Sequence, residues 1–214
     1  MDEGRIGFDR VMGEVAMDES GVESAGDPIA LFQRWLKDAE GGELNDPEAV
    51  ALATATADGI PSVRMVLMKR VDNDGFRFYT NAGSQKGAEL GENPRAAMCF
   101  HWKSLRRQVR VSGMVTELPA ADVDEYFHTR SRLSQLGAAA SQQSRVLASR
   151  EVLEARVKEL EAKFPGEIPR PDYWRGYLLR PERIEFWKDG AGRLHDRFLF
   201  SRDGDAWRKK RLFP

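Results

Sequence analysis

The stretch of this chain that most plainly asks for a ligand is EFWKDGAGRLHDRFLF, residues 185–200. It reads as a KDGAG turn feeding a strand, and strand side chains alternate between two faces. That alternation predicts Arg193, His195 and Arg197 on one face, with Leu194, Phe198 and Phe200 on the other. Cations about 7 Å apart repel by about 2 kcal/mol per pair at an effective dielectric near 20. Such a row beside an apolar EFW segment is hard to explain by packing and suits an anionic ligand. An imidazole can manage protons near neutrality or hydrogen-bond a ring hydroxyl. Trp187 adds an aromatic surface at the turn.

Other segments carry chemistry-bearing residues. In FYTNAGSQKGAEL, Tyr79 and Thr80 end a strand, Ser84 reads as a helix N-cap, and Gln85 and Lys86 fall in the first turn. Free N–H groups and a lysine there make either an anion site or an ordinary capped surface helix. In DEYFHTRSRLSQLG, Tyr126, Arg130 and Ser134 fall at i, i+4 and i+8, one stripe of a helix expected from Pro119 to Gly137. Two hydroxyls and a guanidinium can hold a phosphate with charge-assisted bonds of about 1.5–3 kcal/mol each; a solvated helix face is the alternative. SVRMVLMKR places Arg64 and Lys69 at opposite strand parity, and rim charges on an amphipathic strand are the simpler reading of that segment alone. In RRQVRVSG, Gln108 shares a face with Arg110 and could read a heterocycle's carbonyl or ring nitrogen. In ASQQSRVL, Gln143 and Ser144 could donate to a phosphate, although a polar loop with a serine cap serves as well.

The elements that must position these groups are mostly strands. DPIALFQRWLKDAE opens with Asp27 and Pro28 as a helix start. A run of strands broken by ADG and DNDG turns follows. RAAMCFHW, RRQVRVSGMVTEL, RGYLLRP into RIEFW, HDRFLFSR and AWRKKRLFP continue the pattern. SREVLEARVKELEAKF is a helix with Leu153, Val157, Leu160 and Phe164 on one stripe. Short connections between strands argue for a mainly β, antiparallel sheet or barrel with helices packed outside. Residues 1–26, rich in Gly and acid, read as a mobile arm, and 27–214 as a single domain.

Charge narrows the partners. Residues 1–60 hold 14 acidic and 4 basic side chains, whereas residues 61–110 hold 10 basic and 4 acidic. A basic middle in a chain of net charge −1 suits a small anion better than a nucleic acid. No apolar run is long enough to span a bilayer. One cysteine, Cys99, reads as a core residue and fits a reducing cytoplasm. The three histidines lack metal-ligand spacing, and no dinucleotide or Walker glycine pattern occurs.

Taken in order, RMVLMK, FYTNAGSQKG, NPRAAMCFHW, RRQVRVSG, EYFHTRSRLSQLG, SQQS, IEFW, RLHDR and the terminal RLFP resemble the pyridoxine/pyridoxamine 5′-phosphate oxidase family over residues 27–214. The resemblance implies an FMN-binding split β-barrel, a homodimer with FMN at the subunit interface. It implies FMN contacts from Arg64, Met65, Val66, Leu67, Met68, Lys69, Tyr79, Thr80, Gln85, Lys86, Gln108, Gln143, Ser144, Trp187 and Arg197. Lys69, Tyr126, Arg130 and Ser134 would hold a substrate phosphate, with Arg193 and His195 catalytic over the substrate ring. The implied reaction takes pyridoxine or pyridoxamine 5′-phosphate, phosphorylated vitamin B6 forms, to pyridoxal 5′-phosphate. A hydride passes to the flavin N5, and O2 is reduced to H2O2.

Two departures stand out. Position 85 is Gln where many members have Arg, which weakens or removes one phosphate contact. The arm lacks the Arg-Arg-Glu-Tyr run that some members fold over the substrate, although Arg5, Phe8 and Arg10 are present. The competing expectations are a related oxidase of the phenazine-biosynthesis branch, which shares AGSQKG and RLH but not Lys69 or the Tyr/Arg/Ser set, and a non-enzymatic flavin- or haem-binding barrel.

Overall fold

A computed structural model describes residues 21–214. Its strands are β1 (Ala49–Ala55), β2 (Pro61–Leu67), β3 (Arg70–Asp72), β4 (Gly75–Asn81), β5 (Arg95–Trp102), β6 (Arg107–Glu117), β7 (Trp174–Lys188), β8 (Asp196–Asp203) and β9 (Ala206–Leu212). They form one curled antiparallel half-barrel in the order β2-β1-β5-β6-β7-β4-β3, with β8 and β9 branching from β7. The helices are α1 (Pro28–Gly42), α2 (Gln85–Glu92), α3 (Ala120–Thr129), α4 (Arg132–Ala140) and α5 (Arg150–Lys163). The expected mainly β architecture with flanking helices is therefore present. No helix among the described residues is long and apolar enough to cross a membrane.

Strand β7 is the spine. Its first six residues pair with β4 and its last six with β8, while β6 runs along its other edge. The register to β6 shifts at Ser112/Gly113, where a Cβ on Gly113 would collide with the Arg180 carbonyl oxygen. Helix α1 fills the open side of the sheet. Asp27 caps it, Oδ1 accepting from Ile29 N–H at 2.8 Å. Phe32 packs edge-on against Phe76 and Phe100 at 4.8 Å each, and Trp35 against Phe186 at 5.2 Å. Each ring is fully buried, a contribution of about 1.5–3 kcal/mol apiece. A second cluster forms where α3 and α4 meet the start of β7, from Val123, Phe127, Leu136, Ile168 and Trp174. Val157, Leu160 and Phe164 of α5 lean on it half-buried.

Several expectations are corrected. Arg193, His195 and Arg197 do not share a strand face: β8 starts at Asp196, and Gly192 and Arg193 both have positive φ, +63° and +65°. The sequence leaves the strand for a tight turn, so alternation does not apply. The single helix expected from Pro119 to Gly137 is two. Arg130 is extended, and Ser131 starts α4 by accepting from Ser134 N–H at 3.3 Å. Lys69 lies beyond the end of β2 rather than within it. Of the expected arm, residues 21–26 are docked: Val22 is 2% exposed, and Lys209 Nζ donates to the carbonyls of Val22, Glu23 and Ala25. The rest of that arm, with Arg5, Phe8 and Arg10, lies outside the described residues.

Candidate active site

Strand β4 runs directly into α2, so Tyr79, Thr80 and Lys86 arrive together. Ser84 caps α2, its Oγ accepting from Gly87 N–H at 3.3 Å. Lys86 is only 7% exposed. Its Nζ donates to Gln143 Oε1 at 2.7 Å, Thr80 Oγ1 at 3.1 Å and Ser84 Oγ at 3.3 Å. All three acceptors are neutral. Desolvation, reinforced by Arg64 and opposed by Glu89, pushes the Lys86 pKa down to about 8. A buried ammonium without an ion pair among the described residues is a site prepared for an anion.

Lys86 lines a cavity of about 460 Å³. Met65, Val66 and Leu67 of β2, with Lys69 just beyond, contribute to its wall; so do Tyr79, Thr80 and Gln143. The α3–α4 junction adds Tyr126, Arg130, Ser131 and Ser134, and β7 adds Trp174. The Tyr/Arg/Ser set thus converges on one space although it does not lie on one helix. Arg130 stacks over the Trp174 ring at 4.9 Å, and its Nη1 is buried without a hydrogen-bond partner among the described residues. Desolvation lowers the Arg130 pKa, with Tyr126 opposing. Tyr79 stacks on Tyr126 at 4.0 Å and on Trp174 at 5.3 Å, its ring nearly parallel to both. Desolvation raises the pKa of both phenols. Lys69 meets Glu48 at 3.4 Å.

Arg64 and Met68 do not line this cavity. Met68 is core, 3% exposed. Arg64 is held from behind by Glu89 (3.4 Å), the Leu52 carbonyl (3.3 Å) and the hydroxyls of Thr54 and Ser62. Glu89 is buried at 4% exposure. Burial alone would raise its pKa; hydrogen bonds from Ser62, Thr54 and Gln85 and the charge of Arg64 outweigh that and hold it at about 2. Gln85 turns toward this carboxylate, its Nε2 2.9 Å from Glu89 Oε1, while its backbone N–H donates to Ser144 Oγ at 3.2 Å. Ser144 itself has φ +70°.

The remaining expected residues gather elsewhere. Gln108 faces Trp187 across β6 and β7, and Trp187 faces Arg197 across β7 and β8. His195 packs on Trp187 at 4.7 Å. The anion beside Arg197 belongs to the chain: buried Glu185 accepts from Arg197 Nε at 2.9 Å and Nη2 at 2.8 Å, and pairs with Arg110 at 3.3 Å. Arg197 Nη1 donates to the Phe213 carbonyl at 2.9 Å, fixing the terminal RLFP. None of Gln108, Trp187, Arg193, His195 or Arg197 lines the cavity. Trp187 lies eleven residues along β7 from Gly176, the partner of Tyr79, a contour of about 36 Å.

Sequence reasoning did not single out Trp174, Ser131 or Glu89. Ser131 had a signal, a serine three residues before another polar side chain. Glu89 had one too, the Gln85/Glu89 spacing of one helical turn. Trp174 had none beyond its place at the start of a strand.

Fold and cavity together define an antiparallel split-barrel protein with a cation-lined interior cavity. Residues 36–164 match the family model described as pyridoxamine 5′-phosphate oxidase, and residues 174–214 match the pyridoxine 5′-phosphate oxidase C-terminal dimerisation region. The pyridoxine/pyridoxamine 5′-phosphate oxidase of Gluconobacter oxydans strain 621H is 54% identical over 194 residues, 90% of this chain and 97% of that protein. The enzyme of the same name from Rhizobium etli strain CIAT 652 is 57% identical over 193 residues, 89% and 94%. Among solved structures, PhzG from Burkholderia lata 383, in complex with tetrahydrophenazine-1-carboxylic acid, superposes with a TM-score of 0.87 at 36% identity, covering 94% of this chain and 98% of that one. The chain belongs to the pyridoxamine 5′-phosphate oxidase family.

Proposed function

We propose that this protein is an FMN-dependent oxidase converting pyridoxamine and pyridoxine 5′-phosphate to pyridoxal 5′-phosphate, with O2 as electron acceptor. The observation that carries the reading is a pair of sheltered cations, buried Lys86 and half-buried Arg130, in one cavity with aromatic walls. Among the described residues, Lys86 has only neutral acceptors, and Arg130 has an N–H with no partner. Two phosphate positions, one for cofactor and one for substrate, match that donor set. Lys86, Thr80, Gln143 and the start of α2 would hold the FMN phosphate; Arg130, Ser134, Tyr126 and Lys69 would hold the substrate phosphate. The stacked Tyr79 and Tyr126 present flat apolar surface between them. FMN, when bound, accepts the hydride and passes the electrons to O2.

A homodimer accounts for the second cluster. Within one protomer, Trp187, Arg193 and His195 sit at the far end of β7 from Tyr79. A two-fold axis can bring that end of one protomer to the cavity of the other. The match of residues 174–214 to a dimerisation region supports this arrangement. Exposed Val63, Met65 and Leu67 on edge strand β2, at 67%, 64% and 39%, offer apolar surface for it.

The likeness to PhzG keeps a second reading in play, an oxidase for a larger, unphosphorylated ring system. The purified yellow protein should bleach on anaerobic addition of pyridoxamine 5′-phosphate and regain colour in air. Flavin that stays oxidised would move the substrate to that second class. Failure to bind FMN at all would overturn the proposal.

A further inference from the structure

We infer that Asp189 is a positioning residue for His195, selecting the ring tautomer that His195 presents to substrate. This rests on the reading of His195 as a substrate-facing group. The turn after β7 offers one imidazole nitrogen two incompatible partners. His195 Nδ1 lies 3.0 Å from Asp189 Oδ1, and Gly190 N–H points at the same nitrogen from 3.2 Å. Donation to Asp189 requires hydrogen on Nδ1; acceptance from Gly190 requires its absence. A charge-assisted bond is the stronger of the two. The carboxylate therefore places the hydrogen on Nδ1 and leaves Nε2 of the neutral ring as an acceptor. Nε2 has no partner among the described residues, so that lone pair is available to a hydroxyl or amine on the ligand.

Asp189 is built to hold this orientation. Its second oxygen, Oδ2, is gripped by Arg106 Nη2, and its backbone N–H donates to the Arg106 carbonyl at 3.0 Å. The Trp187 ring backs the imidazole. Gly190 has no room for a Cβ, which would collide with the Leu194 carbonyl oxygen, so the two arms of the turn pack backbone against backbone. Asp189 and His195 are 18% and 22% exposed at their side chains, sheltered enough for the bond to persist against water.

The test reads the tautomer directly. The chain has three histidines, so long-range ¹H–¹⁵N spectra of the FMN-loaded protein, at about pH 8.5 where a free imidazole is neutral, can be assigned by single His variants. His195 should carry hydrogen on Nδ1 in the parent and shift toward Nε2–H in Asp189→Asn. The same variant should lose about 10- to 100-fold in kcat, with KM and FMN affinity within about threefold of the parent. Arg106→Gln, which removes the outer grip but keeps the carboxylate, should retain the Nδ1–H signature, and Asp189→Glu should recover part of kcat. A parent spectrum already showing Nε2–H would overturn the inference, as would an Asp189→Asn protein with unchanged tautomer and kcat. So would Arg106→Gln reproducing every effect of Asp189→Asn, which would make Asp189 a brace for the turn alone. A parent that shows Nδ1–H yet does not oxidise pyridoxamine 5′-phosphate would sink the functional reading and leave the pairing standing.

Discussion

Replacing Lys86 with Met should strengthen the empty protein and weaken its hold on FMN. The two signs follow from one fact: the ammonium is buried before any anion reaches it. A lysine held near 8 instead of 10.5 costs the fold about 3 kcal/mol at neutral pH, at 1.36 kcal/mol per pH unit. Methionine fills similar volume without charge, but leaves Thr80, Ser84 and Gln143 short of a donor, which returns about 1–2 kcal/mol. The net expectation is a gain of about 1–2 kcal/mol in the apoprotein, a rise in Tm of about 2–8 °C for a chain of this size. FMN binding should lose a charge-assisted contact of about 1.5–3 kcal/mol, or about 10- to 150-fold in Kd. Calorimetric unfolding of apoprotein and quenching of FMN fluorescence on titration measure the two separately. A destabilised apoprotein with unchanged Kd would refute the reasoning, because Lys86 would then be a packing residue with no anion to meet.

The same lysine gives a pH signature. Bound phosphate favours its charged form, so FMN affinity should hold below about pH 8 and fall by up to about tenfold per unit above it; a flat titration from pH 7 to 10 would exclude Lys86 as the contact. Arg130→Ala should raise KM for pyridoxamine 5′-phosphate by about 10- to 100-fold and leave the slow turnover of the unphosphorylated amine unchanged, measured by steady-state kinetics on both. Glu89→Gln should destabilise the fold by about 3 kcal/mol at neutral pH. Its folded pKa near 2 lies below the ordinary 4.5, so its contribution is present above 4.5 and lost as pH falls toward 2; the variant should show a shallower acid limb in urea unfolding. Arg193→Ala should abolish most turnover while the protein stays yellow, and normal kinetics would remove it from the active site.

What the sequence made legible divides by range. Local chemistry was readable: the Ser84 cap, Asp27 at α1, the strands of the tail, and Lys86 beside a helix start. So was the set Tyr126, Arg130 and Ser134, although the reason offered was wrong. A regular helix would align them; the fold instead breaks at Arg130 and uses the break. The Arg193–Arg197 stretch failed on the same ground. Alternation assumes an unbroken strand, and two successive residues of positive φ end it. Pairings distant in sequence left little trace. Nothing local marks Glu185 as the partner of both Arg110 and Arg197, or Trp174 as the plate under Arg130. These depend on register across β6, β7 and β8, and on where β7 begins.

The length of β7 has a genetic consequence. If the cavity of one protomer is completed by the far end of the other's β7, damage to the two ends is not equivalent within a single chain. With FMN held below the Kd of the lysine variant, Lys86→Met and Arg193→Ala would each disable both sites of a homodimer. Mixed dimers would differ: one site would inherit both lesions and the other neither. Random reassociation of equal amounts makes half the dimers mixed, so about a quarter of all sites would be intact. Two inactive parents, co-refolded, would then restore roughly that share of activity, and two lesions carried on the same chain would restore none.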